Sequence, residues 1–358
     1  MSSNGRARPK QDKQSLHYIA RSGFAGGVAG CVAKTVVAPL DRVKILFQAS
    51  NPDYTKYAGS WRGAFEAGAK IYRETGALGL LQGHSATLLR IFPYAAIKFM
   101  AYDQIEHILM PTREQQTNVR RFTAGALAGM TSVFFTYPLD VIRVRMAYNT
   151  NTNQRPTFFY AISKIYREAA GVPPTSSSAS SNPASASTST LSSSSTTAAP
   201  VTTRAMASTL FTRFPILKFY RGFSVTITGM IPYAGTSFLC WGFLRSRFLE
   251  SPPALSTSSS PQPKPKLHPI ANLSIGALSG AISQTASYPF EVVRRRMQVG
   301  GLTHPDRWLG WQETVQTIWR TKGWRGFYVG LGVGYLKIVP MTAVSYTMWQ
   351  WMKVALDV

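Results

Sequence analysis

Pro39-Leu-Asp-Arg-Val-Lys44, Pro138-Leu-Asp-Val-Ile-Arg143 and Pro289-Phe-Glu-Val-Val-Arg294 are three versions of one pattern: a proline, an acid two residues on, and a base five on. At average residue frequencies, roughly 0.3 chance matches are expected in a chain of this length. Three matches therefore mark an internal repeat. The surroundings repeat as well. Gly-xxx-Gly precedes each proline at Gly26/Gly30, Gly125/Gly129 and Gly276/Gly280, the second glycine always nine residues ahead. Downstream stand Arg90-Ile-Phe-Pro93, Gly229-Met-Ile-Pro232 and Lys337-Ile-Val-Pro340, whose prolines follow the first set by 54, 94 and 51 residues. The excess in the middle copy matches a stretch of nearly pure Ser, Thr, Ala and Pro, which cannot bury a core.

The chain divides accordingly into a polar basic tail (1–15), copy 1 (16–115), copy 2 (118–250, with the low-complexity insertion at about 173–209), a Pro/Ser linker (251–266) and copy 3 (267–356). Each copy holds two long apolar stretches: Gly23–Phe47 and Ala86–Ile108, Phe122–Ala147 and Val225–Phe248, Leu273–Met297 and Val329–Val354. Each suffices for a membrane span of about 20 residues. Short amphipathic stretches lie between them, at Ser60–Glu74, Phe159–Glu168 and Gly310–Arg320, and read as surface helices. The expected fold is an all-α membrane protein: six transmembrane helices in three tandem repeats, closing into a ring with pseudo-threefold symmetry. The first residues carry charge with no apolar run after it, so no secretory signal is expected and targeting information is internal.

Composition narrows the function classes. The 358 residues carry 39 Lys+Arg against 15 Asp+Glu, a formal charge of +24, which asks for a polyanionic partner. A nucleic-acid module would explain the charge but not six spans with repeated intramembrane charges, so no nucleic-acid partner is expected. Mean hydropathy is −0.05 because the insertion and linker dilute the apolar stretches. Two cysteines, Cys31 and Cys240, exclude a disulfide scaffold and a cysteine-rich metal site. The five histidines lack metal-site spacing, and no nucleophile elbow or Walker loop occurs, so neither a metal, a cofactor nor an enzyme is expected. A passive channel would need no repeated gate charges.

Helical arithmetic places the repeated charges. Measured from Pro39, Asp41, Lys44, Gln48 and Lys34 fall at about 200°, 140°, 180° and 220°, one narrow face. Asp140/Arg143 and Glu291/Arg294/Gln298 repeat the arrangement. Charges in a bilayer pair or face water, and acid-to-base pairing around a ring gives Asp41–Arg143, Asp140–Arg294 and Glu291–Lys44. Gly-xxx-Gly is expected to let helices approach closely. Taken singly, each Pro-acid pair is a helix cap; the base at the fifth position and the threefold recurrence do not follow from capping.

These motifs resemble the mitochondrial carrier family, with its three tandem copies of P-x-[DE]-x-x-[KR]-x-[KR]. The likeness spans nearly all of residues 16–356. Copy 1 departs at the last base, where Leu46 stands against Arg145 and Arg296. The family's glutamine brace matches Gln48 and Gln298, and Ala147 lacks it. The resemblance implies an inner-membrane, multi-pass carrier working as a monomer, with both termini towards the cytosol. It makes the charged ring a matrix gate. A second, cytosolic gate is implied on the even helices, where Asp103, Arg245 and Lys353 match and Asp103–Arg245 is the one complete pair; this gate is expected to be the weaker. Lipid contacts, with cardiolipin as the implied ligand, match Gly59, Gly83, Arg221, Gly222, Gly310 and Gly330.

Arg90, Gly229 and Lys337 match the family's substrate contact points, three residues before the even-helix prolines. With Met230, Lys34 and Tyr233 they compose the candidate substrate site. Arg90, Lys34 and Lys337, unpaired at membrane depth, would need an anion; forked and point charges suit phosphates. Tyr233 would stack on a base. The physical reading reaches a nucleotide-like anion. Arg90–Phe99 and Gly229–Phe238 most resemble the family's coenzyme A carriers, notably fungal ones, and the ATP-Mg/phosphate carriers are the alternative. Their calcium-regulated forms carry EF-hands, and no such loop occurs here.

Overall fold

The computed structural model describes residues 16–111, 117–150, 157–167, 214–249, 269–303 and 309–356. The tail, the low-complexity insertion and the Pro/Ser linker read from sequence lie outside these residues. The described chain is helical: α1 (Leu16–Gln48), α2 (Trp61–Leu80), α3 (His84–Leu109), α4 (Asn118–Tyr148), α5 (Phe158–Arg167), α6 (Phe223–Leu249), α7 (Pro269–Thr303), α8 (Trp311–Lys322), α9 (Leu331–Leu336) and α10 (Ile338–Ala355). The last apolar stretch, expected as one helix, is divided after Leu336: Pro340 has no N–H for the Leu336 carbonyl, while Lys337 between α9 and α10 keeps a helical backbone (φ −76°, ψ −21°). By length and apolarity three described stretches qualify to cross a membrane: Arg21–Gln48, Val119–Tyr148 and Trp311–Ala355.

Local chemistry sets the ends. Ser60 caps α2 by accepting from the Arg62 and Gly63 N–H groups, and Thr117 caps α4 by accepting from Arg120 N–H. Such caps contribute about 1 kcal/mol each. The turns into α3, α6 and α9 need glycine. Gly83, Gly222 and Gly330 have φ of +85°, +78° and +86°, and a Cβ on Gly83 would stand 2.8 Å from the Arg143 carbonyl oxygen. Helices α1, α4 and α7 run on through Pro39, Pro138 and Pro289. Pro138 has no N–H to offer the Phe134 carbonyl, which accepts the Tyr220 hydroxyl instead at 3.3 Å.

Packing closes the three copies into a cycle. In each copy the short helix lays an apolar stripe on the long helix before it: Ala64, Ala67 and Ile71 of α2, Ala161 and Ile165 of α5, and Ile318 of α8. Each resulting cluster also takes a residue from the preceding copy. Ala86 joins the copy 2 cluster, Val225 the copy 3 cluster, and Val333 of copy 3 joins that of copy 1. A fourth cluster of Ile45, Ala49, Val144, Ala147 and Val299 draws on α1, α4 and α7 together. It plugs one end of the bundle, called here the closed end. Tyr54, just past α1, packs in the copy 1 cluster; burial and the neighbouring Glu74 carboxylate push its phenol up to about 12.

Candidate functional site

The closed end is built by α1, α4 and α7, whose prolines stand at equal distance from their charges. Arg143 Nη2 lies 2.9 Å from Asp41 Oδ2, Arg294 Nη2 lies 2.6 Å from Asp140 Oδ2, and Lys44 Nζ lies 2.9 Å from Glu291 Oε1. These are the partners that helical spacing and threefold order imply. The corners are unequal. Glu291 holds Lys44 alone among the described residues, whereas Asp140 also accepts from Arg295 at 3.1 Å and from Gln298 at 3.0 Å. Asp140 is 2% exposed, so its charge depends on those donors.

Two further sets of contacts tie the copies beside the ring. Gln48 Nε2 donates to the Tyr288 hydroxyl at 3.0 Å, joining copies 1 and 3; Gln298 Nε2 donates to the Tyr137 hydroxyl at 3.2 Å, joining copies 3 and 2. Each tyrosine sits just before a signature proline. Tyr137 donates onward to the Arg221 carbonyl and Tyr288 to that of Val329. Lys44 and Arg294 lie over the rings of Tyr288 and Tyr137, at 5.2 and 5.4 Å. The second set uses bases that fall off the ring face. Arg145 Nε donates to the Gln298 carbonyl at 3.1 Å, and Arg296 Nη2 to Ser50 Oγ at 2.7 Å.

Behind the ring stand the candidate substrate residues, and two of them correct the expectation that they are unpaired. Lys337 Nζ lies 2.9 Å from Asp41 Oδ1, and Arg90 Nη1 lies 3.4 Å from Asp140 Oδ1. Their helices bring them close enough to share the ring acids, a proximity that periodicity within one helix cannot reveal. Lys34 has no carboxylate within ion-pair distance among the described residues; it donates to Met341 Sδ at 3.6 Å, a weak acceptor. Tyr233 is 47% exposed. Its copy 1 counterpart, Tyr94, was not singled out from sequence and lies 5.5 Å from the Arg90 guanidinium. Gly229 serves packing: a Cβ there would stand 2.8 Å from Phe290 Cβ. Met230 packs against the copy 2 cluster. Around ring and interior, seven bases (Lys34, Lys44, Arg90, Arg143, Arg294, Arg295 and Lys337) meet three acids, leaving four positive charges in excess.

The opposite end is unlatched. Asp103 and Arg245 are exposed and no ion pair joins them, so the Asp103–Arg245 pair expected for a closed gate is not formed in this arrangement. Lys353 lies over the Trp349 ring at 4.0 Å. Of the Gly-xxx-Gly positions, Gly26, Gly30, Gly125 and Gly280 have room, a Cβ there meeting nothing within 4 Å, whereas at Gly129 and Gly276 it would meet Met230 Cε at 3.5 Å and Trp241 Cζ3 at 3.6 Å. Of the candidate lipid residues, Gly59 and Gly330 line a cleft of about 540 Å³ between copies 1 and 3, beside Lys322 and Arg325. Arg221 is buried, Gly83 and Gly222 form the helix turns already described, and Gly310 precedes α8.

A family model described as "Mitochondrial carrier protein" matches residues 16–113, 114–172 and 265–357. "Mitochondrial carrier protein LEU5" of Saccharomyces cerevisiae is 42% identical over 357 residues, covering 96% of this chain and 92% of that protein. "Solute carrier family 25 member 16" of Homo sapiens is 37% identical, covering 94% and 88%. "Mitochondrial carrier protein CoAc2" of Zea mays is 32% identical, covering 100% and 93%.

Proposed function

The chain belongs to the mitochondrial carrier family, and we propose that it moves coenzyme A, or a closely related adenine nucleotide such as adenosine 3′,5′-diphosphate, between cytosol and matrix. On this reading six helical spans (α1, α3, α4, α6, α7, and α9 with α10) cross the mitochondrial inner membrane. The closed end faces the matrix, the open end faces the cytosol, and the carrier works as a monomer.

One observation carries the mechanism: Arg90 and Lys337 are bound to ring acids. A polyanion entering from the open end competes for them. As its phosphates draw Lys337 from Asp41 and Arg90 from Asp140, two corners of the gate lose a partner. A ligand shifts an equilibrium only by its differential affinity for the two states, and this exchange of partners supplies the difference. The excess of four positive charges suits a substrate with a diphosphate and a further phosphate. Lys34 adds a point charge, and half-exposed Tyr233 offers a face for the adenine. The name of the maize relative, CoAc2, points the same way. The cleft at Gly59 and Gly330 offers Lys322 and Arg325 to an anionic headgroup, for which cardiolipin is the proposed lipid.

The test is uptake of labelled coenzyme A into proteoliposomes, competed by ATP, ADP, adenosine 3′,5′-diphosphate and dephospho-coenzyme A. Coenzyme A and adenosine 3′,5′-diphosphate are expected to compete best. Preference for ATP or phosphate would move the chain to the ATP-Mg/phosphate type. Arg90→Ala and Lys337→Ala are expected to abolish uptake while the carrier still folds; wild-type uptake by either would remove it from the site.

A further inference from the structure

The three interfaces among α1, α4 and α7 are not equivalent. Copies 3 and 1 are joined by Gln48–Tyr288 and Arg296–Ser50, copies 2 and 3 by Gln298–Tyr137 and by Arg145 on the Gln298 carbonyl. Between copies 1 and 2 the brace positions are Ala147 and Ala38, and the base position is Leu46. Leu46 is fully buried in the apolar cluster against α2, so a base there would lose that packing.

Arg42 stands four residues earlier, one helical turn back on the same side of α1. It is 2% exposed. Its Nε donates to the Ala147 carbonyl at 3.2 Å, its Nη2 to that of Asn149 at 3.0 Å, and its Nη1 to that of Gly79. Ala147 holds the register of Gln298, nine residues after the proline, and the Gln298 carbonyl is the one Arg145 reaches. We propose that Arg42 is a positioning residue that latches copy 1 to copy 2 in the matrix-closed state, standing in for the base missing at Leu46 and for the missing brace. Its bonds to Ala147 and Asn149 cross between copies and part when the ring opens. Its bond to Gly79 stays within copy 1. Because its partners are carbonyls and it is buried, substrate does not compete for it. Arg42 therefore sets a constant bias towards the matrix-closed state, unlike Arg90 and Lys337.

The inference rests on the carrier reading, and its test needs no substrate. Cys31 and Cys240 are replaced by serine, Tyr233→Cys is added, and labelling by a membrane-impermeant maleimide is timed from each face of proteoliposomes. Arg42→Leu is expected to speed matrix-side labelling about a hundredfold, the effect of losing two hydrogen bonds to a charged group, and to slow cytosolic-side labelling. Arg42→Lys, which keeps charge without the fork, falls between and carries the test should Arg42→Leu not fold. Unchanged rates, or equal acceleration from both faces, would overturn the latch alone. A parent protein labelled from neither face would overturn the carrier reading and the latch with it.

Discussion

The two ends of this bundle use similar residues and reach opposite outcomes. At the closed end, three acids are held by bases from neighbouring copies, backed by tyrosine braces, arginine-to-carbonyl bonds and an apolar plug. At the open end Asp103 and Arg245 stand exposed and apart. The sequence contains the reason. The signature acid and base occur in all three copies at one end, whereas at the other the acid position reads Asp103, Gly242 and Gln350. A ring needs every corner to close. One acid among three positions leaves two corners without attraction, so on the proposed reading the closed end, as matrix gate, dominates the resting state.

The largest expected effect tests that asymmetry directly. Asp140→Asn removes the carboxylate that pairs with Arg90, Arg294 and Arg295. Stranding buried guanidinium groups costs about 3–5 kcal/mol. Uptake should fall about 100-fold or more, with a clear loss of thermal stability. Asp41→Asn, which strands Arg143 and Lys337, should be nearly as severe. Asp103→Asn, on an exposed side chain without an ion pair, should keep uptake within about twofold. Equal losses from Asp41→Asn and Asp103→Asn would show that both gates bear comparable load.

What was legible in the sequence was whatever repeats three times. Pro39, Pro138 and Pro289 with their acids and bases declare the helices, the face and the pairing order, because each copy tests the others. What repeats less was hidden. Arg42 and Arg295 occur at positions where the other copies have aliphatic residues, so the threefold comparison discards them as noise. Tyr137 and Tyr288 occur twice, one residue upstream of the pattern; extending the repeat by that residue would have found them. The bonds from Arg90 and Lys337 to ring acids depend on how α3 and α10 lean on their neighbours. No single-helix period encodes that distance.

A smaller effect is expected at the open end from Gly26→Leu. In the present state a side chain at Gly26 enters free space, and replacing glycine within a helix gains up to about 1 kcal/mol of propensity. Thermal stability should hold or rise. Closing the open end must bring these helices together, where leucine obstructs the approach that Gly-xxx-Gly allows. Turnover should fall several-fold with the protein intact. Wild-type turnover would mean that these helix halves never meet at Gly26, and that the open end does not close there.

The smallest effect separates the braces from the ring. Gln48→Ala removes one neutral hydrogen bond to Tyr288, about 1 kcal/mol, and leaves the Lys44–Glu291 pair in place. Gln298→Ala removes the bond to Tyr137 and also a donor to Asp140 and an acceptor for Arg295. The two braces look interchangeable in the sequence, so equal losses of thermal stability would follow if each acted only through its tyrosine. A larger loss for Gln298→Ala is expected, because that glutamine also serves the most heavily charged corner. Thermal unfolding of the two purified variants decides it: equal shifts would mean that Arg294 and Arg295 satisfy Asp140 without help, and that the closed end is more symmetric than its contacts make it.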